Sequence, residues 1–275
     1  MLVRAFTFAQ YHNRPNTGST KIRVGNLIKY WPELELYKYG EKPDVMIFQK
    51  VYMQADYLYP KNLDCIKILD ICDPDWFDNQ AVKQTIDEMH AVTCPTEPLA
   101  EFLRQLTDKP VVVIPDRHDI AEYPVPKKHY DKATKLVWFG YKHNAELLKG
   151  AMNWIERNGF ELTVISNDAP NLGGEYNFIK YPADEKDFII ELQKHDICIL
   201  PQGNRPEDRF KSDNKTTKAW LAGLPVAQDA EQIEALIAPE ARQKEALACY
   251  NKAIKDYDCK LSVKQMQDLI KELVK

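Results

Sequence analysis

Glycine is scarce in this 275-residue chain, ten residues in all, which excludes collagen-like and glycine-linker architectures. Neither sign of charge dominates. Thirty-seven Lys and Arg stand against 41 Asp and Glu, a net charge of −4. That balance argues against a protein that coats nucleic acid in bulk, although a local basic patch stays open. With 44 % hydrophobic residues the chain is not compositionally disordered. No run of roughly 18 apolar residues is present, so no bilayer-spanning helix is expected. Met1 to Gln10 lacks the long apolar region and small-residue cleavage site of a secretory leader. The six cysteines form no C-x-x-C pair. Cys72, Cys94 and Cys198 fall in apolar, strand-like runs and read as small buried hydrophobes in a reduced compartment. The expected location is cytoplasmic. No G-x-G-x-x-G and no G-x-x-x-x-G-K-[ST] occurs, which counts against dinucleotide hydride transfer and against a P-loop.

What the chain does contain is an alternation of short apolar runs with longer amphipathic stretches. Strands are expected over Val3–Ala9, Leu34–Tyr39, Asp44–Val51, Ile66–Cys72, Ala91–Cys94 and Val111–Ile114. Further strands are expected over Leu136–Gly140, Phe160–Ser166, Tyr176–Tyr181, Ile197–Leu200 and Pro225–Gln228. Runs such as Val111–Ile114 and Ile197–Leu200 are apolar throughout, the pattern of parallel strands buried on both faces. Helices are expected between them, over Gln80–His90, Glu97–Thr107, Asn144–Asn158, Glu185–Lys194, Asn214–Ala222 and Glu231–Leu236. The sum is a set of βαβ units. Asp116–Thr134 breaks the alternation with Pro124, Pro126 and many charges, and reads as a linker between two α/β halves. This gives domains at 1–118 and 135–260 and an amphipathic C-terminal helix at 261–275. Pro239 ends the helix from Glu231 and separates it from the next. Two doubly wound halves would face each other across a cleft, with ligands at the C-terminal ends of their strands.

The most informative segment runs from Pro201 to Ala227. Between Arg205 and Lys218 it carries five basic residues (Arg205, Arg209, Lys211, Lys215, Lys218) and three acidic ones. Ser212 or Asp213 can cap a helix starting near Asn214. A helix start beside Lys and Arg suits a diphosphate, while a solvated charged loop would look much the same. Gly140, ending a strand before Lys142, lets a ligand approach the backbone. The histidines His12, His90, His118, His129, His143 and His195 show no metal-ligand spacing. Tyr30, Trp31, Tyr37, Tyr39, Tyr52, Tyr57 and Tyr59 could stack on a sugar or a base, or simply pack. The Asp70, Asp73 and Asp75 trio invites a metal reading. It ranks below a strand-end cap and below a carboxylate facing an acceptor hydroxyl.

Lys211-Ser212-Asp213-Asn214-Lys215-Thr216-Thr217-Lys218-Ala219-Trp220-Leu221-Ala222-Gly223-Leu224-Pro225-Val226 resembles the donor-binding stretch K-S-x-N-K-x-x-E-A-x-A-x-G-x-P-V of GT-B glycosyltransferases similar to family 4, the retaining group. Leu136–Gly140, His195–Pro201, Asp70–Asp75, Cys94–Leu99 and Ile114–Asp116 resemble other stretches of that group in the same order. Lys218 and Leu221 depart from that stretch, and Lys218 stands where the family has the Glu that holds the ribose. Phe210 stands at the partner acidic position eight residues earlier, and Tyr141 replaces the Arg that often follows the first strand of the second half.

The resemblance implies an α/β chain of two Rossmann-like domains facing across a cleft. It implies sugar transfer from a nucleoside diphosphate sugar to an acceptor hydroxyl, with retention and with neither metal nor cofactor. Gly140, Lys142, Arg205, Arg209, Lys211, Ser212, Asn214, Lys215 and Lys218 would serve the donor. Ser19, Arg23 and Lys50 would lie on the acceptor side, and Asp73 would polarise the acceptor. The acceptor stays open, and a modified base in DNA is one alternative. Lys218 and Phe210 motivate a reading of another class, a non-catalytic module that binds a nucleotide or a glycan.

Overall fold

The computed structural model describes residues 1–11, 13, 18–52, 63–74 and 80–275. His12, Tyr57, Tyr59 and Asp75 lie outside the described residues. The chain divides into two compact units. Unit 1 is Met1–His118, Pro206–Ser212 and Asp258–Lys275; unit 2 is Asp119–Arg205 and Asp213–Tyr257.

Unit 1 runs β1 (Val3–Thr7), α1 (Phe8–Tyr11), α2 (Gly18–Thr20), a π-helical turn at Lys21–Gly25, α3 (Asn26–Tyr30), β2 (Leu34–Leu36) and β3 (Val45–Gln49). It continues with β4 (Ile66–Asp70), α4 (Gln80–Asp87), β5 (Ala91–Cys94), α5 (Glu97–Arg104) and β6 (Val111–Val113). The six strands form one parallel sheet in the order β2-β1-β3-β4-β5-β6. Both faces are buried, which is why these strands read as continuous apolar runs. Val3, Ala5, Val45, Ile47 and Ile68 face a cluster with Val24, Leu27 and Trp31. Their neighbours Phe6, Met46, Phe48 and Leu69 face the opposite cluster, with Val82 and Ile86 of α4 and Leu99 and Leu103 of α5. The period of two assigns each side chain to its face.

Unit 2 runs β7 (Lys135–Phe139), a 3-10 stretch at Lys142–Leu148, α6 (Lys149–Arg157), β8 (Glu161–Ser166), β9 (Asn177–Lys180), α7 (Glu185–Leu192) and β10 (Ile197–Ile199). After the excursion into unit 1 come α8 (Asn214–Leu221), β11 (Val226–Ala227), α9 (Ala230–Ala235) and α10 (Pro239–Asp256). Its sheet is parallel, in the order β11-β10-β7-β8-β9. The helix expected over Asn144–Asn158 begins as the tighter 3-10 form, a common opening turn. Pro239 opens α10 rather than only closing α9, as its missing N–H allows at a first helical position. No described helix is long and apolar enough to cross a membrane, and all six cysteines are free thiols.

Two returns tie the chain back to unit 1. The final helix α11 (Cys259–Leu273) lays Val263, Met266, Leu269 and Ile270 on the face that carries Val3 and Ala5. Phe210, 1 % exposed, is part of the cluster with Leu99 and Leu103, and its ring lies 5.9 Å from that of Phe102.

The proline-bearing stretch after Asp119 belongs to unit 2 and is strapped to it. Lys127 Nζ pairs with Asp196 (3.1 Å), the His129 amide donates to Gln243 Oε1 (2.8 Å), and the Ala133 amide donates to Ile237 O (3.0 Å). Arg242, fully buried in α10, donates Nε to His129 Nδ1 (3.0 Å), so the other imidazole nitrogen carries the hydrogen that meets Gly223 O (2.9 Å). Gly223 closes α8 at φ +81°, and a Cβ there would sit 2.8 Å from Pro126 Cβ and closer still to the Lys127 amide nitrogen. Gly223→Ala therefore meets backbone and a left-handed φ together, and should cost about 2–4 kcal/mol in urea denaturation. A loss below about 1 kcal/mol would mean that the strap simply moves aside.

Candidate functional site

In each sheet the chain first builds to one side of its opening strand and then crosses to the other. Ligands of open α/β sheets bind outside the C-terminal ends of the strands at that reversal. In unit 2 the reversal lies between β7 and β10.

Gly140 follows β7 there, with φ +155°. A Cβ at this position would meet the Trp138 ring at 2.9 Å and would lie 3.5 Å from Lys215 Nζ. The same ammonium stands 5.3 Å from the centroid of the Trp138 ring. Burial pushes the Cys198 thiol of β10 up to about 12, and Lys215 is the charge that opposes the shift. Gly140, Trp138, Cys198 and Lys215 thus meet at the reversal, and the missing side chain of Gly140 leaves Lys215 close to bare backbone. Asn214, one residue earlier, has its Oδ1 buried without a hydrogen-bond partner.

The other donor-side residues are distributed around this point. Lys142 is exposed, paired with Asp168 (2.7 Å), and its amide donates to Asn167 Oδ1 (2.8 Å). Lys218 reaches Glu185 Oε1 at 2.6 Å and lies 5.3 Å from the centroid of the Phe188 ring. Glu185 went unrecognised in the sequence because an acid in a first helical turn reads as an ordinary complement to the helix dipole. Burial first, and then the Glu185 charge, push the Tyr123 and Tyr181 phenols above their ordinary values. Arg205 is exposed at the end of its unit 2 segment. Arg209, Lys211 and Ser212 belong to unit 1. The Arg209 guanidinium lies 4.5 Å from the centroid of the Phe210 ring, Lys211 pairs with Asp208 (2.6 Å), and Ser212 Oγ donates to Asp116 Oδ2 (2.6 Å).

In unit 1 the reversal lies between β1 and β3. Lys50 follows β3 in the left-handed region, φ +52°, unusual for a side chain with a Cβ. Its ammonium pairs with Asp73 Oδ2 at 2.8 Å and lies 5.6 Å from the centroid of the Phe8 ring. The Lys50 side chain is 11 % exposed and that of Asp73 43 %, so the carboxylate is the accessible member of the pair. Ser19 is half-buried beside Thr20, whose hydroxyl donates to Gln49 Oε1 at 3.0 Å.

Arg23 is placed differently from these neighbours. It is buried, with Nε and Nη2 forked onto Asp70 (3.1 and 2.6 Å) and Nη1 shared between Asp116 (3.2 Å) and the Ile114 carbonyl. Burial alone would lower its pKa, and Asp70 and Asp116 more than reverse that. Four of its five N–H donors are spent inside the unit, so the Arg23 charge is used to hold the fold. Asp70, which also accepts from Thr93 Oγ1 (2.6 Å), turns into this knot while Asp73 turns out of it. Among the described residues no group of three His, Cys, Asp or Glu is gathered as a metal would need. His118 is buried, with its carbonyl accepting the Cys259 amide at 2.9 Å, and His143 stacks on Tyr141.

No family model matches the chain, and no curated protein matches it either. Solved structures do. HepE from Anabaena, determined in complex with UDP and glucose, superposes with a TM-score of 0.70 at 10 % identity over 98 % of each chain. AviGT4, a glycosyltransferase involved in avilamycin A biosynthesis, gives 0.59 at 13 % identity over 99 % of this chain and 98 % of its own. The fold is GT-B. TarM gives 0.59 at 11 % identity, and there the match covers 82 % of this chain and 54 % of TarM, about half its length. At these identities the likeness is one of fold. In GT-B terms, the two Rossmann-like domains are units 1 and 2, the second built from two separate chain segments and the first from three.

Proposed function

We propose that this chain is a glycosyltransferase that takes a nucleoside diphosphate sugar on unit 2 and passes the sugar to an acceptor hydroxyl held on unit 1. The observation that carries this reading is the Lys215 ammonium standing beside the bare backbone of Gly140 at the β7/β10 reversal. A transferring sugar leaves a diphosphate behind. A cation fixed where that charge develops stabilises the transition state without reorganising. HepE, the neighbour solved with UDP and glucose, supports a nucleotide sugar as the ligand class. The reading keeps retention and assigns the charge of the leaving group to basic side chains instead of a resident metal. Asp73, accessible and set by Lys50, is assigned to the acceptor.

Calorimetry with UDP and uridine tests the donor half. Lys215→Ala should weaken UDP binding by about 1.5–3 kcal/mol, the range for a hydrogen bond to a charged group. Uridine, which lacks phosphates, should bind both proteins alike. Equal losses for the two ligands would make Lys215 a structural residue and remove the reading's main support.

A further inference from the structure

Among the described residues, five helices or helical turns start from an aspartate. Asp119, Asp184, Asp229 and Asp258 each sit in extended backbone and accept an amide hydrogen bond, from Ala121, Lys186, Gln232 and Lys260. Asp213, ahead of α8, has φ −82° and ψ 19°, and its side chain makes no cap hydrogen bond. Its Oδ2 accepts instead from the Tyr257 hydroxyl, which comes from the far end of α10. A favourable cap is therefore forgone on the helix that carries Lys215.

We propose that Tyr257 is a positioning residue that holds the Asp213 carboxylate away from Lys215, so that it does not compete with the ligand's diphosphate. The inference rests on the donor reading above. Released from Tyr257, and with its ψ turned to the extended range of the other four aspartates, Asp213 gains the cap that they make. It would accept the amide of Lys215 or Thr216 and hold its negative charge against the start of α8, beside the Lys215 backbone. Both changes work against a bound anion, and the first stabilises the helix. Affinity and stability should therefore move in opposite directions, which the loss of a merely structural hydrogen bond would not produce.

The probes are UDP and inorganic pyrophosphate, titrated calorimetrically into wild type, Tyr257→Phe, Asp213→Ala and the double variant, with thermal unfolding of each. Tyr257→Phe should weaken both ligands by about three- to tenfold, the scale of a charge at a helix start, with an unfolding temperature equal to or above that of wild type. In the Asp213→Ala background the Tyr257→Phe change should do nothing. Unchanged affinity in Tyr257→Phe overturns the proposal. So does a loss that persists without Asp213, or one that goes with a lower unfolding temperature. If wild type binds neither probe, or Lys215→Ala binds both as tightly as wild type, the donor site itself is refuted, and Tyr257 has no anion seat to guard.

Discussion

Arg23→Met should destabilise the protein by about 3–5 kcal/mol at neutral pH, the cost of leaving buried carboxylates without their cation. Met matches much of the stem's volume, so the effect isolates the charge. Asp70 and Asp116 would then face each other in a place where their exposure is 1 % and 7 %. Thr93 and Ser212 hydroxyls would be their remaining side-chain donors. Burial already holds the Asp116 carboxyl above its ordinary value, with Arg23 and the Ser212 hydrogen bond pulling it back. Without Arg23 that restraint goes and the folded-state pKa climbs further. A carboxyl raised in the folded state binds its proton more readily there than in the unfolded chain. Its contribution to stability is present at low pH and lost as pH rises through the folded value. The deficit of Arg23→Met should accordingly shrink between pH 7 and pH 5 in urea denaturation. Wild-type stability with impaired turnover would instead return Arg23 to the acceptor side.

Arg23 also shows where reading the sequence stops. A basic residue in a polar stretch looks the same whether it ends in solvent or in a knot of aspartates from β4 and the stretch after β6. The strands had no such ambiguity. Their runs of Val, Ile, Leu and Phe are dictated by burial on two faces, and each of the eleven observed strands falls within about two or three residues of its expected span. α10 left no comparable trace. Its buried side consists of Arg242, Ala246 and Ala253, too small and too polar to mark a period. Phe210 was noted as a departure from a donor motif. In the structure it is an apolar anchor of the segment that crosses into unit 1, a pairing of residues more than a hundred apart that no local pattern encodes. Lys218, another departure, has a carboxylate close by after all, supplied by Glu185 from α7. Gly140 and Lys215 were both singled out from the sequence, 75 positions apart, but only the strand order brings them side by side.

Asp73→Asn should lower turnover by about 10²–10⁴, the usual contribution of a positioned acid or base. The substitution keeps the shape of the side chain and removes the charge. Lys50 would lose its ionic partner, but Asp73 is 43 % exposed, so the pair's own share of stability is small and the fold should hold. Donor affinity should stay as it is, because the donor is assigned to unit 2 and Asp73 belongs to unit 1. The measurement is transfer or slow hydrolysis of nucleotide sugars, set beside UDP binding and thermal unfolding of the same variant. Lys50 offers an internal control. Lys50→Gly removes a cation from a left-handed position that glycine adopts without strain, so its stability should be kept or improved while turnover falls. Full turnover in Asp73→Asn would remove the carboxylate from the mechanism and leave the acceptor's activation to the donor's own phosphate. A fall in UDP affinity in step with turnover would instead trace the defect to donor binding. Loss of turnover alone, with UDP affinity and unfolding temperature at wild-type values, is what a carboxylate acting on the acceptor hydroxyl requires.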